Sequence, residues 1–214
     1  MKLILSSSDF INESSKQVIL DNIDNELSDN KVLFIPNEKA TKDKINSDKY
    51  YDRLYKDGFT NRDNIYVFDE TEVDRFRNLN IDLIYISGGN TFATLDKIRK
   101  CDFDKDIINY INNGVIYIGG SCGAHVVTKN IEHLLELDDN YLNTTDYNAL
   151  GLFDGIIIPH YNEEEYNPEL RKRVYEKLLS ENKYKVYALT NDDSLVIIDD
   201  KIIEYKGGNP NEWK

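Results

Sequence analysis

Residues 115–125 read Val-Ile-Tyr-Ile-Gly-Gly-Ser-Cys-Gly-Ala-His. Four apolar, β-favouring residues run directly into a glycine-rich segment, and the residues that follow can form a helix. Gly119, Ser121 and Gly123 occupy the fixed points of the G-x-S-x-G pattern, which places a serine on a very tight strand-to-helix turn. Such a turn needs neighbours without side chains and strains the backbone of the serine. Ser121 is therefore a candidate nucleophile, although an ordinary βα turn with the serine as a helix cap has the same pattern.

Short apolar runs alternate with segments of helical periodicity along most of the chain. We predict strands at residues 3–6, 31–35, 64–68, 81–86, 115–118, 184–189, 194–198 and 202–205, with another inside residues 151–161. We predict helices at residues 12–27, 44–56, 70–78, 92–100, 104–113 and 168–179. The alternation predicts an α/β fold: a mostly parallel sheet with helices on both faces, then a C-terminal β-hairpin and a loose tail from Gly207. Since no linker or repeat interrupts the pattern, we expect one domain over residues 1–214.

The composition argues against several classes of function. The chain carries a formal net charge of −13 and has a pI near 4.7, which argues against nucleic acid or a membrane surface as a partner. No apolar run approaches the length of a membrane span, and the first residues turn polar too soon for a signal peptide. The two cysteines and three histidines show no metal-binding spacing, so we predict neither a metal nor another cofactor. We expect a cytoplasmic protein that is a monomer or a homodimer.

A second glycine-rich turn, Ser87-Gly88-Gly89-Asn90, directly follows the predicted strand at residues 81–86. In parallel sheets ligands bind beyond the carboxyl ends of the strands, so this turn and the serine turn would face one crevice if their strands are neighbours. An oxyanion hole needs two convergent backbone N–H donors. The N–H group of Cys122 can supply one and the Gly88-Gly89-Asn90 turn the other, although these glycines also suit a plain βα turn.

A serine nucleophile needs a base, and three histidines compete for that role. His160 follows an apolar run at the end of a predicted strand, so it is the candidate base, with a buried structural histidine as the alternative. His125 lies about one helical turn after Ser121 and should point away from it. His133 sits in a polar stretch and is predicted at the surface. Cys122 is a rival nucleophile, but the turn exposes Ser121 and favours a small buried thiol at the next position.

Three motifs follow one another between residues 88 and 161. They are Gly88-Gly89-Asn90-Thr91-Phe92, Gly120-Ser121-Cys122-Gly123-Ala124 and Pro159-His160-Tyr161. In this order and spacing they resemble the peptidase E and cyanophycinase family of serine peptidases, peptidase family S51. That family typically reads G-G-N-T-F, then S-A-G-A, then a strand ending in P-H, so cysteine replaces one small residue in this chain.

The resemblance implies a flavodoxin-like fold of the class I glutamine amidotransferase-like type. It also implies a peptidase E-like dipeptidase or exopeptidase that acts on a small peptide. Carried over by position, Ser121 is the nucleophile and His160 is the base. The same transfer gives Gly89 and Cys122 as the residues whose N–H groups form the oxyanion hole.

Two positions are candidates for the third member of the catalytic triad, the acidic residue that orients the histidine. One family position lies some fifteen residues after the serine, where this chain has Glu136. The other lies in the turn after the next strand, where Asn191 falls on the acidic position and Asp192 stands beside it. An asparagine can still orient an imidazole, as in cysteine peptidases, and a shifted Asp192 would also do so. Each acidic residue is equally compatible with a solvated loop charge.

Substrate contacts are predicted from the same resemblance. The first glycine turn contributes Gly88, Asn90 and Thr91 as candidate substrate-binding residues. The family's aspartyl dipeptidases hold an aspartate side chain with an arginine after the histidine, which makes Arg171 a candidate for that contact. Arg171 and Arg173 are explained more simply as solvated charges on the helix at residues 168–179.

Two further hypotheses compete with a serine peptidase. Asn191 and the lack of a clear specificity arginine suit a non-catalytic member of the fold that binds a small anion or peptide. Cys122 suits an enzyme of the glutamine amidotransferase type with a thiol nucleophile.

Overall fold

A mostly parallel eight-stranded sheet forms the centre of the protein, in a computed structural model that describes residues 1–211. Its strands lie in the order β10-β9-β8-β1-β5-β4-β2-β3, and β6 and β7 form a separate parallel pair. The strands are β1 (Lys2–Ser6), β2 (Val32–Ile35), β3 (Ile65–Val67), β4 (Leu83–Ile86), β5 (Ile116–Gly120), β6 (Ile156–Ile158), β7 (Val186–Ala188), β8 (Ser194–Ile198), β9 (Lys201–Lys206) and β10 (Asn209–Asn211).

Helices cover both faces of this sheet, as the sequence predicted. They are α1 (Glu13–Asp21), α2 (Lys42–Ile45), α3 (Lys49–Asp57), α4 (Thr91–Lys100), α5 (Phe103–Asn112), α6 (Cys122–Val126) and α7 (Pro168–Glu181). Short 3₁₀ segments lie at Asp9–Ile11, Leu27–Asp29, Arg62–Asn64, Glu70–Arg75, Glu132–Glu136 and Glu164–Tyr166. Among residues 1–211, no helix is both long enough and apolar enough to cross a membrane.

The central strands are apolar on both sides because each side packs against helices. On β1, Leu3 and Leu5 belong to one apolar cluster with residues of α4 and α5, while Ile4 belongs to a second cluster with residues of α1 and α3. All three side chains are fully buried. Continuous apolar runs are typical of parallel strands covered on both faces, which is why these segments could be identified from sequence.

Three helix predictions differ from the structure in extent. The helix predicted at residues 12–27 ends at Asp21, where the side chain of Asn22 donates to the carbonyl of Val18. The segment at residues 44–56 is divided between α2 and α3, and the segment at residues 70–78 is a 3₁₀ helix, Glu70–Arg75. Asn, Ser and Asp residues at these breaks compete for backbone hydrogen bonds, which shortens helices.

The C-terminal region differs more. The prediction of a loose tail from Gly207 is wrong for residues 207–211. Gly207 and Gly208, both with positive φ, turn the chain so that β10 pairs with β9. The strand predicted at residues 184–189 pairs with β6 and not with β8, whereas β8 and β9 form the predicted hairpin. Because β6 and β7 are parallel, their carboxyl ends lie side by side. Residues 212–214 of the predicted tail lie outside the described residues.

Candidate active site

Ser121 stands on a strained turn between β5 and α6. Its backbone has φ 49° and ψ −106°, a conformation that costs energy for a residue with a side chain. Its N–H donates to the carbonyl of Ser6 at 3.0 Å, which ties the turn to β1. Ser121 occupies the N-cap position of α6, but its side chain makes no capping hydrogen bond and contacts His160 instead.

Glycine is required beside the serine for steric reasons. A Cβ atom on Gly123 would lie 2.1 Å from the carbonyl oxygen of Ile86 in β4, a backbone atom that cannot move aside. In the neighbouring turn, a Cβ atom on Gly89 would lie 2.6 Å from Cβ of Asn37. The two glycine-rich turns follow adjacent strands, β4 and β5, so they do face the same crevice.

His160 reaches Ser121 from the end of β6. Its Nε2 atom lies 3.0 Å from Oγ of Ser121, and the residue is 8% exposed. The ring of Tyr166 stacks on the imidazole with a centroid distance of 3.9 Å and an interplanar angle of 10°. A nucleophile and a base within hydrogen-bond reach are the first requirement of acyl-transfer catalysis.

Asn191 contacts the other nitrogen of this imidazole, Nδ1, which also lies 3.2 Å from Oγ of Ser7. Its Oδ1 atom lies 2.8 Å from Nδ1 of His160. Asn191 follows β7 and His160 follows β6, so the parallel pairing of the two strands brings them together. Asp192 faces elsewhere and accepts a hydrogen bond from the side chain of Asn12 at 2.8 Å.

The prediction of Glu136 as a partner of His160 is wrong. Its carboxylate forms surface ion pairs with Lys177 at 2.8 Å and with Arg173 at 3.4 Å. Glu136 ends the 3₁₀ helix Glu132–Glu136, which directs the side chain towards α7 and away from the serine.

The imidazole of His160 is poised as a neutral base. Burial lowers its pKa below the ordinary value, and this outweighs the opposing effect of the hydrogen bond to Asn191; the positive charge of Arg171 lowers the pKa further. An unprotonated Nε2 atom facing a hydroxyl can accept its proton at neutral pH.

The serine and histidine border a small cavity of about 140 Å³. It is lined by Gly89, Thr91, Ser121, His125, Leu134, Leu137, Asp138, Pro159, His160, Tyr166 and Arg171. Gly88 also lies beside the serine, since a Cβ atom added to it would be 3.8 Å from Cβ of Ser121.

Cys122 is the first residue of α6, and the first N–H groups of a helix have no intrahelical acceptor. The N–H groups of Gly89 and Cys122 thus remain the predicted oxyanion donors.

The thiol of Cys122 is directed away from this cavity. It is 1% exposed and donates to Oγ1 of Thr94 at 3.4 Å. Burial raises its pKa to about 12, so almost none of it is thiolate at neutral pH. These observations contradict the hypothesis of a Cys122 nucleophile and agree with the predicted small buried thiol.

Asn90 and Thr91 hold the glycine turn in place. Asn90 caps α4 by accepting the N–H of Ala93 at 2.9 Å and donates to Oδ1 of Asp138 at 3.0 Å. The N–H of Thr91 donates to Oδ2 of the same aspartate at 3.1 Å, and its hydroxyl lies 3.2 Å from Nδ1 of His125. Both side chains are therefore occupied inside the protein, and their predicted contact with substrate stays a prediction.

Asp138 is a cavity residue that the sequence did not single out. Burial raises the pKa of its carboxyl group, opposed by hydrogen bonds from Thr91, Asp139 and Asn90. It lies two positions beyond Glu136 and contacts Asn90 and Thr91.

Arg171 also lines the cavity, and the interpretation of this residue as a solvated charge is wrong. It is 7% exposed, with Nε donating to the carbonyl of Tyr166 and Nη1 to the carbonyl of Pro159, both at 2.9 Å. Burial lowers the pKa of its guanidinium. Among the described residues no carboxylate forms an ion pair with it. Arg173 is the solvated arginine, paired with Glu136.

The other two histidines contact the strand that leads to His160, and His125 also lines the cavity. His133 is 8% exposed, so its prediction at the surface is wrong. Nε2 of His125 and Nε2 of His133 both lie 3.2 Å from the carbonyl oxygen of Ile157, in the strand that leads to His160. Within residues 1–211 there is no group of three or more His, Cys, Asp or Glu side chains suited to hold a metal ion.

Comparison with known proteins adds independent evidence. A model described as peptidase family S51 matches residues 2–205. An uncharacterized peptidase of Listeria monocytogenes is 33% identical over 126 residues, which is 57% of this chain and 59% of that protein. Peptidase E of Haemophilus influenzae is 34% identical over 120 residues, 54% of either chain. The chain thus spans less than two thirds of the length of these curated relatives.

Solved structures with similar folds match over a greater length. A crystal structure of a candidate peptidase E protein from Listeria monocytogenes EGD-e superimposes with a TM-score of 0.72 at 27% identity, covering 96% of this chain and 98% of that one. A peptidase from an acI-B1 Actinobacterium gives a TM-score of 0.61 at 16% identity, covering 98% of this chain and 92% of that one. The fold class predicted from the sequence is confirmed by the first of these.

Proposed function

This chain belongs to peptidase family S51, and we propose that it is a serine peptidase that hydrolyses short peptides by acyl transfer. The observation that carries the proposal is the continuous contact from Ser121 Oγ through both nitrogens of His160 to Asn191 Oδ1, with distances of 3.0 and 2.8 Å. This arrangement is recognised by geometry and not by position in the chain.

In the proposed reaction, Oγ of Ser121 attacks the peptide carbonyl while its proton passes to Nε2 of His160. The N–H groups of Cys122 and Gly89 stabilise the oxyanion of the tetrahedral intermediate. Collapse breaks the C–N bond, and the histidine gives its proton to the leaving amine. Water, deprotonated by the same histidine, then attacks the acyl-enzyme, releases the new carboxyl group and restores the serine.

The cavity suggests a short substrate with an acidic group. Arg171 presents a buried guanidinium without a carboxylate partner among the described residues, and a substrate carboxylate would supply one. Asp138 presents a carboxylate in the same cavity and suits a substrate ammonium group. The small volume of the cavity, about 140 Å³, favours a short substrate side chain at this position.

A panel of dipeptides that differ in their first residue tests the proposal. We expect hydrolysis by the wild-type protein, with kcat/KM at least about a thousandfold lower in Ser121→Ala. Arg171→Gln should reduce the preference for an N-terminal aspartate over asparagine by about tenfold or more, because a charge-assisted contact is lost. Arg173→Gln, on the solvated face of α7, is the matched control and should leave the preference unchanged.

A non-catalytic ligand-binding member of the family is the second candidate, because an uncharged amide stands where a triad has a carboxylate. In that case no dipeptide would be cleaved, while a dipeptide with an acidic residue would still raise the Tm of the wild-type protein. Hydrolysis that disappears in Ser121→Ala would exclude this candidate.

A further inference from the structure

Two serines at the carboxyl end of β1 surround the amide that contacts His160. Ser7 is fully buried, and its Oγ atom lies 2.7 Å from the backbone nitrogen of His160 and 3.1 Å from Oδ1 of Asn191. Oγ of Ser8 lies 2.7 Å from the same Oδ1 atom. Neither serine is among the residues that line the cavity.

With Oδ1 of Asn191 facing the imidazole, the contacts assign the protons in this cluster. The backbone N–H of His160 donates to Oγ of Ser7, which also lies 3.2 Å from Nδ1 of the same histidine. Because Nδ1 carries a proton in this arrangement, the hydroxyl proton of Ser7 goes to Oδ1 of Asn191. Ser8 also donates to that oxygen, and its hydroxyl makes no other side-chain hydrogen bond within residues 1–211. The Nδ1–H of His160 is then the third donor to Oδ1. Three donors converge on one amide oxygen, which has two lone pairs.

This convergence matters because an amide does not select a histidine tautomer by itself. A carboxylate only accepts hydrogen bonds, so it holds the proton on Nδ1 and leaves Nε2 free to act as the base. An asparagine that turned its NH₂ group towards the ring would hold the proton on Nε2. His160 could then not accept the proton of Ser121.

The backbone of Asn191 is also fixed, so the rotation of its side chain is the remaining freedom. Its N–H donates to Oε1 of Glu163 at 3.0 Å, and its carbonyl accepts from Oγ of Ser15 at 3.1 Å. The hydroxyl groups of Ser7 and Ser8, which directly follow β1, stabilise the orientation in which the amide oxygen faces the ring.

We propose that Ser7 and Ser8 are positioning residues that perform the task of the missing negative charge, by holding Oδ1 of Asn191 towards His160 and so selecting the Nδ1–H tautomer. The consequence for catalysis rests on the proposed function. The selection of the tautomer does not, because it is a property of the protein alone.

Two-bond ¹H–¹⁵N correlation spectra report which imidazole nitrogen carries the proton. With three histidines in the chain, the His160 signals are assigned by their loss in His160→Gln. At a pH above the titration of His160 we expect the Nδ1–H form in the wild-type protein and a clear increase of the Nε2–H form in Ser7→Ala/Ser8→Ala. Ser15→Ala, which removes a hydroxyl from the backbone carbonyl of Asn191, is the matched control and should leave the tautomer unchanged.

Kinetics provide a second readout. Ser8→Ala should lower kcat about tenfold with KM within about twofold, the loss expected for one hydrogen bond that acts on the base. Asn191→Asp should make the enzyme insensitive to Ser8→Ala, because a carboxylate imposes the Nδ1–H form without help. A purely structural role of Ser8 would give the same loss in both backgrounds.

An Nε2–H form in the wild-type protein would overturn the proposal, whether or not the variants fold. An unchanged tautomer in folded Ser7→Ala/Ser8→Ala would also overturn it. A tautomer shift in a protein that cleaves no peptide would support the positioning role and contradict the proposed function, so the two failures are distinguishable.

Discussion

His160 lies against an uncharged amide, and this sets its affinity for a proton. Burial lowers the pKa of the imidazole, and no carboxylate at Nδ1 compensates for that effect. In a triad with an aspartate, the negative charge would favour the protonated ring. The residue therefore remains a free base to a lower pH than a carboxylate-paired histidine would.

The pH dependence of hydrolysis should reflect this. Activity requires the neutral ring, so kcat/KM should rise with pH through the pKa of His160, with a midpoint below the ordinary 6.5. Asn191→Asp should move this midpoint upwards, because the added carboxylate stabilises the imidazolium. A pH–rate profile of both proteins measures the shift. A wild-type midpoint above 6.5, or an unchanged midpoint in the variant, would contradict the role given to the amide.

Sequence reasoning placed Ser121 and His160 in the site because both stand at the ends of apolar strands. It left Asn191 among three candidates for contact with His160, since the register of a loop after a strand cannot be read from spacing. Ser7 could not be identified. It lies 153 positions from His160 in the chain, and only the packing of β1 beside the end of β6 brings them together. The one available signal was the run Ser6-Ser7-Ser8 at the end of a predicted strand.

The serine turn depends on the approach of α6 to β4. The missing side chain of Gly123 lets the helix backbone contact the carbonyl of Ile86, and this contact sets the position of Ser121. The phenolic hydroxyl of Tyr117 donates to the carbonyl of Gly123 at 2.6 Å and fixes the same turn from within β5.

Gly123→Ala should destabilise the fold strongly, by more than about 3 kcal/mol, because its Cβ atom would meet a backbone oxygen that cannot give way. Gly114→Ala is the matched control. It also lies next to β5 and has φ +96°, but nothing lies within 4 Å of its added Cβ atom, so only strain of about 1–2 kcal/mol is expected. Urea unfolding measures the free energy of unfolding of both variants, and an equal decrease in the two would contradict a steric role for Gly123.

At the level of elements, the strands of the parallel sheet were predicted closely because burial on both faces gives continuous apolar runs. The helices were predicted less well. Helical periodicity continues past Asn22 and through Asn46, but at these breaks the side chains of Asn22 and Ser47 donate to the backbone carbonyls of Val18 and Lys44. The pairing of β10 with β9 was missed because Asn-Pro-Asn carries no strand signal, and its pairing depends on the Gly207-Gly208 turn.

Across the whole molecule, the candidate site combines the ends of β1, β4 and β5 with the ends of the separate pair β6–β7. Two buried histidines support that junction. His125 and His133 both contact the carbonyl of Ile157 in β6, which holds the strand leading to His160 against the main body. Burial lowers the pKa of both rings, that of His133 to about 4.

These histidines should make the fold sensitive to acid. The pKa of His133 is about 4 in the folded protein, against 6.5 in the unfolded chain. Its contribution to the free energy of unfolding is therefore fully present above pH 6.5 and is lost as the pH falls towards 4. For His133 the loss is on the order of 3 kcal/mol. Urea unfolding at several pH values should show a shallower loss for His133→Gln, which keeps a donor for Ile157 but does not titrate. Comparison of the two proteins cancels contributions from other groups, and identical slopes would contradict this origin.

The arrangement of the sheet was only partly accessible from the sequence. Alternation of strands and helices indicated a parallel sheet with ligands beyond the carboxyl ends of the strands, and that is where the candidate residues lie. The separation of β6 and β7 from the main sheet was not predicted. Both strands are short, and β7 is only partly buried, so neither shows a pattern that reveals its partner.

Covalent labelling decides whether Ser121 is the nucleophile. A fluorophosphonate probe, followed by mass spectrometry of the digested protein, should modify the wild-type chain on Ser121. Labelling should be lost in Ser121→Ala and reduced strongly in His160→Gln, which removes the base. Cys122→Ala is the matched control and should still be labelled, because the thiol is buried and its backbone N–H is retained. Equal labelling of the wild-type protein and Ser121→Ala would contradict a serine peptidase mechanism at this site.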